Sequence, residues 1–271
     1  GLPYDDAAIL RAMRNAVPSQ DGLVFIGGQG DRTVAQLAAE FPDKRFAVVQ
    51  GHIQGRNLAS YDVRQEESAF LAGCLAAWMT ESGIVAHLSG HRVKPGLKGR
   101  AAFVQGVRHA DPGVRVLTAF CGTQDDNAIT REWAAAQITA GADILFTMLN
   151  GARAGAIDAC RAGGAWQIGN ALDWTIRAPD VFLASAMARI DLGVHRAIAD
   201  LARGSFPDSI VKLGLAEGDY VSLRLGDHAA PGMAGRIAAI AAQIREGTIT
   251  IAEDYSGPEF TPGDQSCSPA A

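Results

Sequence analysis

One strand–helix–strand unit between residues 141 and 170 constrains the fold of this chain more than any other feature. A short apolar run, Ile144–Leu149, stops at Asn150-Gly151, and an apolar-periodic segment follows from Ala152 to Arg161. Gly163-Gly164 breaks that pattern before a second apolar run, which ends at Gly169-Asn170. Parallel strands need a helical crossover of this kind, and both faces of their sheet are covered. The unit therefore predicts an α/β fold whose ligands lie outside the carboxyl ends of the strands.

Charge and composition argue against several classes of function. With 271 residues the chain can bury one large core or two smaller ones. A net charge of −5 gives no reason to expect nucleic acid or an anionic membrane surface as a partner. No apolar run approaches the roughly 18–20 residues that span a bilayer. The four cysteines form no Cys-x-x-Cys pair and no Cys/His cluster, so neither a metal site nor a cofactor is predicted.

Apolar patterns predict strands that alternate with helices along most of the chain. The predicted strands include 23–27, 46–50, 57–63, 84–88, 114–120, 144–149, 181–184, 210–213, 220–225 and 248–251. The predicted helices are 5–17, 33–40, 66–80, 97–110, 127–140, 152–161, 189–203 and 234–246. We expect residues 83–170 to form a C-terminal lobe, and residues 1–82 with 171–255 to form a discontinuous N-terminal lobe. A chain that leaves one lobe and returns predicts an interlobe cleft, a favoured place for ligands. Residues 256–271, rich in Pro, Gly and Ser, are predicted to be a flexible tail.

Four stretches resemble a known family. They are EESAFLAG at 66–73, GTQDD at 122–126, GADILF at 141–146 and WQIG at 166–169. In this order and spacing they resemble the basic membrane protein family of ABC-transporter substrate-binding proteins, which includes purine nucleoside receptors. The resemblance extends from about Asp5 to Ile251. It implies a type I periplasmic-binding-protein fold, with two Rossmann-like lobes, a hinge and a cleft.

The chain departs from the family pattern where the ligand is expected. The first strand, helix and second strand of the family pattern have no counterpart before Asp5–Val17, so the N-terminal lobe is expected to lack them. An aromatic residue of the family pattern is Gln124 here, and a carboxylate and a lysine are Ala171 and Ala188. In the family we associate the carboxylate and the lysine with ribose hydroxyls. Their absence favours a free nucleobase, or another small planar polar compound, over an ordinary nucleoside.

Polar residues that follow the predicted strands are the candidate ligand-binding residues. Backbone N–H groups in the turn before a helix can hold an anion or a carbonyl oxygen. Amides bind the edges of heterocycles, carboxylates accept from N–H donors, and an aromatic ring can stack on a planar ligand. The candidates are Gly28, Gln29, Gly30, His91, Arg92, Gln124, Asn150, Arg153, Asn170, Asp173 and Trp174.

Each candidate has a purely structural alternative. The glycine turn at 27–30 can be a tight connection, and His91 and Arg92 can belong to a solvated loop. Asp126, beside Gln124, is well placed to cap the following helix. Trp174 can be a half-buried ring that packs under the hinge. Arg153 opposes the helix dipole at a helix start, so we expect it to have a specific partner.

The sequence predicts a binding protein and no enzyme. No Gly-x-Ser-x-Gly motif is present, and no histidine has an evident Ser or Cys partner, so no catalytic residue is predicted. We expect a solute-binding protein of an ABC importer, which captures a purine base or related heterocycle by hinge closure and presents it to a membrane permease. Its location would be periplasmic, or extracytoplasmic on a membrane anchor. The alternatives are the ligand-sensing domain of a regulator or receptor and, with less support, a nucleoside-processing hydrolase.

Overall fold

Helices and strands alternate along most of the chain, as the sequence predicts. The structure is a computed structural model and describes residues 5–207 and 209–263. Its helices are α1 (Asp6–Ala16), α2 (Gly30–Glu40), α3 (Gln65–Met79), α4 (Lys94–Ala110), α5 (Asn127–Thr139), α6 (Arg153–Gly163), α7 (Trp174–Arg177), α8 (Ile190–Arg203) and α9 (Met233–Arg245). Its strands are β1 (Gly22–Ile26), β2 (Arg45–Val49), β3 (Leu58–Val63), β4 (Ile84–Ser89), β5 (Arg115–Phe120), β6 (Ile144–Met148), β7 (Trp166–Ala171), β8 (Phe182–Ala188), β9 (Val211–Leu213) and β10 (Val221–Leu225).

Two compact units make up the fold. Unit 1 comprises the chain up to Arg64 together with Arg189–Tyr220. Unit 2 comprises Gln65–Ala188 together with the chain from Val221 onward. The predicted boundaries at 82/83 and 170/171 differ from this division. Residues 65–82, 171–188 and 221–255 were expected in the N-terminal lobe, but they lie in unit 2.

Unit 1 is built on a parallel sheet in the order β1-β2-β3-β9. On one face α1 and α2 bury Ile9, Val34 and Leu37 against Phe46 and Val48 of β2. Helix α8 packs on β2 and β3. The residues of β2 after Arg45 are all apolar, and successive side chains point to opposite faces of the sheet. The strand is therefore apolar on both faces, as expected for a covered parallel sheet.

Unit 2 contains a six-stranded sheet in the order β10-β8-β7-β6-β4-β5. Strands β4 to β8 are parallel, and β10 pairs antiparallel with β8. This pairing explains the shifted boundaries, because β8 continues the sheet beyond β7 and β10 extends it again. Register pairs such as Gly169 with Ser185 and Leu223 with Ala186 hold these later segments in unit 2.

Helix α3 belongs to unit 2 because it packs closely along α4. The two helices meet at Gly73 and Gly106, where an added Cβ would overlap the carbonyl oxygens of Phe103 and Phe70 respectively. Lys98 of α4 and Glu66 of α3 are each 1% exposed and form an ion pair of 2.7 Å between Nζ and Oε1. Nearly all of α3 is buried, as its unbroken apolar sequence predicts.

Part of the segment predicted to be a flexible tail is folded onto unit 2. The Phe260 side chain is 5% exposed and belongs to the apolar core, and its N–H donates to Thr118 O at 2.8 Å. Thr118 lies in the edge strand β5, so this segment covers part of a sheet edge. The prediction is therefore wrong for the segment around Phe260, and residues 264–271 lie outside the described part of the chain.

Two smaller points concern the remaining helices and strands. The strand predicted at 248–251 is not formed, because Thr250 O and Ala252 N bond to the side chain of Gln105. Among the helices that the structure describes, none is both long enough and apolar enough to cross a membrane.

Candidate functional site

The carboxyl edge of the unit 2 sheet is the place where ligands are expected. Phe103 of α4 packs near the rings of His87 and Phe146, which lie on one face of the sheet. Helices α5 and α6 pack on the other face, in a core that includes Leu88 and Leu145. The connections after β4 and β6 therefore leave this edge on opposite sides, although the two strands are neighbours. In open α/β sheets such a switch point is the favoured ligand position.

Arg153, at the start of α6, is fixed beneath this edge. The residue is 3% exposed. Its Nη1 donates to the Thr147 hydroxyl at 2.9 Å, and its Nη2 donates to Leu149 O and to Asn170 Oδ1. Burial lowers the pKa of the guanidinium to about 9, so the group remains mostly charged at neutral pH. The specific partners expected for this cation are therefore groups of β6, of the loop after β6 and of β7.

Trp174 lies directly against Arg153. The guanidinium carbon is 4.4 Å from the centroid of the indole ring, which is cation–π distance. The indole N–H donates to Asn170 O at 3.1 Å, and the backbone N–H of Trp174 donates to the Ser185 hydroxyl at 2.8 Å. Gly169 leaves room for the ring, because a Cβ there would lie 2.5 Å from Trp174 Cδ1. The ring is half-buried and held in one orientation.

Asp173, the residue before Trp174, caps the short helix α7. Its Oδ1 accepts from the backbone N–H of Thr175 at 3.1 Å and from the Thr175 hydroxyl at 2.5 Å. Its Oδ2 lies 3.6 Å from Arg224 Nε. The carboxylate is about one-fifth exposed, so Oδ2 is the oxygen with acceptor capacity left for another group.

Gln124 and Asn150 occupy the neighbouring loops. Gln124 is buried, its Oε1 accepts from the Asn150 N–H at 3.2 Å, and its backbone O accepts from Ala152 N at 2.8 Å. Asp126 caps α5 by accepting from the N–H groups of Ala128 and Ile129, as the sequence predicts. Gln124 thus joins two strand ends, whereas the Asn150 residue is exposed.

His91 and Arg92 follow β4, but Arg92 is engaged by the C-terminal segment. Its guanidinium makes two hydrogen bonds to the Glu259 carboxylate and lies 4.8 Å from the Phe120 ring centroid. These hydrogen bonds lower the pKa of Glu259, which also pairs with Arg100. Arg92 is therefore an exposed cation, as the surface-loop alternative expected, and it is paired with Glu259. His91 is half-buried in the same loop.

The glycine turn belongs to unit 1, whereas the other candidates belong to unit 2. Gly27 has a φ of 117°, and its N–H donates to Val49 O at 2.9 Å, so the turn borders the end of β2. The turn is closed by Gly30 N to Gly27 O at 3.0 Å. Helix α2 begins at Gly30, and the side chain of Gln29 lies over Gly27.

Sequence reasoning missed a polar group in unit 1 beside this turn. Asp31 Oδ1 accepts from His52 N at 3.0 Å, and His52 Nε2 lies 3.4 Å from Asp62 Oδ2. Burial raises the pKa of Asp31. Gln50, two residues before His52, is buried directly after β2. The signal was present, because Gln50-Gly51-His52 are the first residues after an apolar strand.

A serine–histidine pair was also missed, in the core of unit 2. His87 Nε2 is 2.7 Å from Ser89 Oγ, and His87 Nδ1 is 3.0 Å from Thr118 Oγ1. Ser89 is 1% exposed, and burial lowers the pKa of His87 to about 3, so the ring is a poor general base for the hydroxyl. The pair is suited to a structural role. In residues 5–207 and 209–263, no group of three or more His, Cys, Asp or Glu side chains could hold a metal ion.

Comparison with known proteins agrees with this architecture. A crystal structure of an ABC transporter solute-binding protein from Aeropyrum pernix K1 matches with a TM-score of 0.80 and 20% identity, covering 97% of this chain and 84% of that one. The fold is that of the type I periplasmic binding proteins. Residues 9–226 match the Bmp family model, described as "ABC transporter substrate-binding protein PnrA-like". The chain belongs to this family, which is one of binding proteins, as the sequence resemblance predicted.

Two curated relatives add detail. Basic membrane protein D of Borreliella burgdorferi (strain JD1) is 28% identical over 162 residues, which are 58% of this chain and 48% of that protein. A purine-binding protein of Brucella abortus (strain 2308) is 26% identical over 179 residues, 65% of this chain and 50% of the relative. This chain therefore spans about half the length of the curated relatives that it matches.

Proposed function

We propose that this chain is the ligand-binding part of an ABC importer and that it takes a small planar polar ligand, a purine base or a related heterocycle. The observation that carries the proposal is the fixed, half-buried ring of Trp174 against Arg153 at the carboxyl edge of unit 2. A ring held in one orientation can stack on a planar ligand with little further loss of conformational freedom. Membership of the Bmp family supports the proposal, and so does the relative named as purine-binding.

The groups around Trp174 favour a neutral ligand with N–H donors. Asp173 Oδ2 and the exposed residue Asn150 are nearby polar groups with hydrogen-bonding capacity left. Arg153 is charged, but its Nη1 and Nη2 already donate to protein oxygens, and its unpaired Nε is buried. Ala171 and Ala188 stand where the family resemblance implies ribose-binding side chains. These features together favour a free base over a nucleoside.

The partners and location follow from the family as part of the same proposal. A substrate-binding protein of an ABC importer delivers its ligand to a membrane permease, which we propose as the macromolecular partner. We propose an extracytoplasmic location for the same reason. The hinge closure implied by the family resemblance stays a prediction.

Calorimetric titration of the purified chain tests the proposal. The compounds are adenine, guanine, hypoxanthine, adenosine and guanosine, and thermal unfolding provides a second readout because a bound ligand raises the melting temperature by mass action. We expect one or more free bases to bind more tightly than the nucleosides. Binding of adenosine or guanosine alone would contradict the assignment of a base, and no binding of any compound would refute the purine class.

Substitutions at Trp174 test the site itself. Trp174→Ala should weaken base binding about tenfold or more, because stacking on an aromatic ring is worth on the order of 1–3 kcal/mol per base. Trp174→Phe retains a ring and should recover part of the affinity. The matched control is Ile176→Ala in the same short helix, whose side chain is 78% exposed and which should bind as the original chain does. If all three variants bind the base with equal affinity, Trp174 is not part of the binding site.

A further inference from the structure

Gln50 of unit 1 carries a buried side-chain amide without a partner. The residue is 3% exposed, and in the described part of the chain neither Nε2 nor Oε1 makes a hydrogen bond. Buried polar groups are almost always paired, because an unpaired one keeps its desolvation penalty. Here both the donor and the acceptor of one carboxamide are unpaired. Gln50 therefore differs from the buried Gln137 and Gln167 amides, each of which has one unpaired atom but forms a hydrogen bond through the other.

The backbone at Gln50 is unusual as well. Its φ is 68°, in the left-handed region that few residues other than glycine adopt. The backbone N–H still donates to Tyr61 O at 2.8 Å, so β2 and β3 hold the residue in this conformation. Gly51 is required next to it, because a Cβ there would lie 2.5 Å from Val48 Cγ1 and 2.7 Å from Ser60 Oγ. Backbone outliers held in this way are concentrated at functional sites.

The surroundings of this segment provide acceptors and a turn of N–H groups. His52 is joined to Asp31 and Asp62 by the contacts described above. The glycine turn borders the same strand end through Gly27 N to Val49 O. The glycine turn follows β1, and Gln50 and His52 follow β2, so these groups lie at the carboxyl ends of parallel strands, where α/β sheets bind ligands. Gln50 combines an unpaired buried amide with a positive φ at such a position, and this combination is difficult to explain by folding alone.

We propose that the Gln50 carboxamide is a ligand-recognition group, which binds an adjacent donor and acceptor on the edge of a heterocycle. The amide presents one N–H donor and one C=O acceptor side by side, which matches the lactam edge of a base such as hypoxanthine or the amine and ring nitrogen of adenine. This inference rests on the proposed function, because its ligands are the same class of heterocycle. Ligand binding satisfies the two polar atoms that the free chain leaves unpaired.

Gln50→Met separates the binding role from a structural role. Methionine has nearly the same shape and no strong donor or acceptor. The variant should raise the melting temperature of the ligand-free chain by about 2–4 °C, because it removes a buried unpaired amide. It should also weaken binding of hypoxanthine about tenfold or more. Gln54→Met, at an exposed glutamine four residues later, is the matched control and should change neither quantity.

Unsubstituted purine provides a second control, because it lacks the exocyclic oxygen of hypoxanthine and therefore the lactam edge. The original chain should prefer hypoxanthine to purine, and Gln50→Met should reduce this preference. If the original chain and Gln50→Met bind hypoxanthine with equal affinity, the inference is overturned and the proposed function stands. If the original chain binds none of the bases, both fail. A variant that loses affinity and melts lower than the original chain would assign Gln50 a structural role and also overturn the inference.

Discussion

Arg153 and Trp174 form a cation–π pair, with the guanidinium carbon 4.4 Å from the ring centroid, at the place where β6 and β7 end. The pair ties together three segments, because Arg153 also donates to Leu149 O in the loop after β6 and to Asn170 Oδ1 in β7. A cation at a helix N-terminus is unfavourable for the helix dipole. The hydrogen bonds of Arg153 offset this cost and orient the ring that we propose to stack on the ligand.

We therefore predict that Arg153→Met lowers the free energy of unfolding by about 2–4 kcal/mol, because the buried oxygens of Thr147, Leu149 and Asn170 lose their charged donor. Urea unfolding measures the change. Arg177→Met is the control, since Arg177 also lies over the Trp174 ring, at 5.3 Å, but is exposed and should contribute less than about 0.5 kcal/mol. Equal effects of the two substitutions would show that the buried hydrogen bonds of Arg153 contribute little.

The contact between α3 and α4 gives a prediction about glycine. Gly73→Ala and Gly106→Ala should each destabilise the chain by about 1–3 kcal/mol, because the new Cβ meets a backbone carbonyl of the partner helix, which cannot move away easily. Gly235→Ala in α9 is the control of opposite sign. A Cβ there meets nothing within 4 Å, so alanine should stabilise by up to about 1 kcal/mol through helix propensity.

Thermal and urea unfolding of the three glycine variants measure these changes. The prediction fails if Gly73→Ala is as stable as Gly235→Ala. Gly73→Ala and Gly106→Ala are also expected to be non-additive when combined, because both substitutions separate the same pair of helices.

The C-terminal segment gives a third prediction. Phe260→Ala should lower the free energy of unfolding by about 3 kcal/mol, because it opens a cavity in the core of unit 2. Thr261→Ala, at the exposed next residue, should change it by less than about 0.5 kcal/mol. If the two variants have similar stabilities in the same urea titration, the segment is a flexible tail, as its composition predicts.

The order of helices and strands was predictable because its signals are local. Apolar runs bounded by glycine identify buried strands, and Asp126 was identified as a cap from its position alone. The C-terminal segment was not predictable, since a single Phe260 anchors a stretch whose Pro, Gly and Ser content is typical of flexible chains. The core contact that holds it depends on β5, which is more than 130 residues earlier.

The candidate site was predicted in part for a related reason. The rule that ligands lie at the carboxyl ends of strands selected Arg153, Asn170 and Trp174, which the structure brings into contact. Gln50 follows a strand in the same way, but a glutamine has no pattern that reveals an unpaired amide or a positive φ. Those properties arise only when the surrounding chain buries the residue without offering a partner.

His87 provides a prediction about pH. Its ring is buried among Phe103, Phe120 and Phe146, and this burial lowers its pKa from 6.5 to about 3. The unfolded chain therefore binds more protons than the folded chain between these two values. The contribution of His87 to the free energy of unfolding is therefore fully present above about pH 6.5. It falls as the pH decreases, by up to about 1.4 kcal/mol per pH unit.

His87→Gln should remove this contribution to the slope of unfolding free energy between pH 6.5 and 4, whatever it does to stability at pH 7. Phe103→Leu is the control, because it weakens the same core but keeps the imidazole, so its curve should run parallel to that of the original chain. Urea unfolding at four or five pH values measures both slopes. If the unfolding free energy of His87→Gln varies with pH as steeply as that of Phe103→Leu, the prediction is wrong. His87 would then be protonated as easily in the folded chain as in the unfolded chain, and it would not be the group that makes the stability of unit 2 depend on pH.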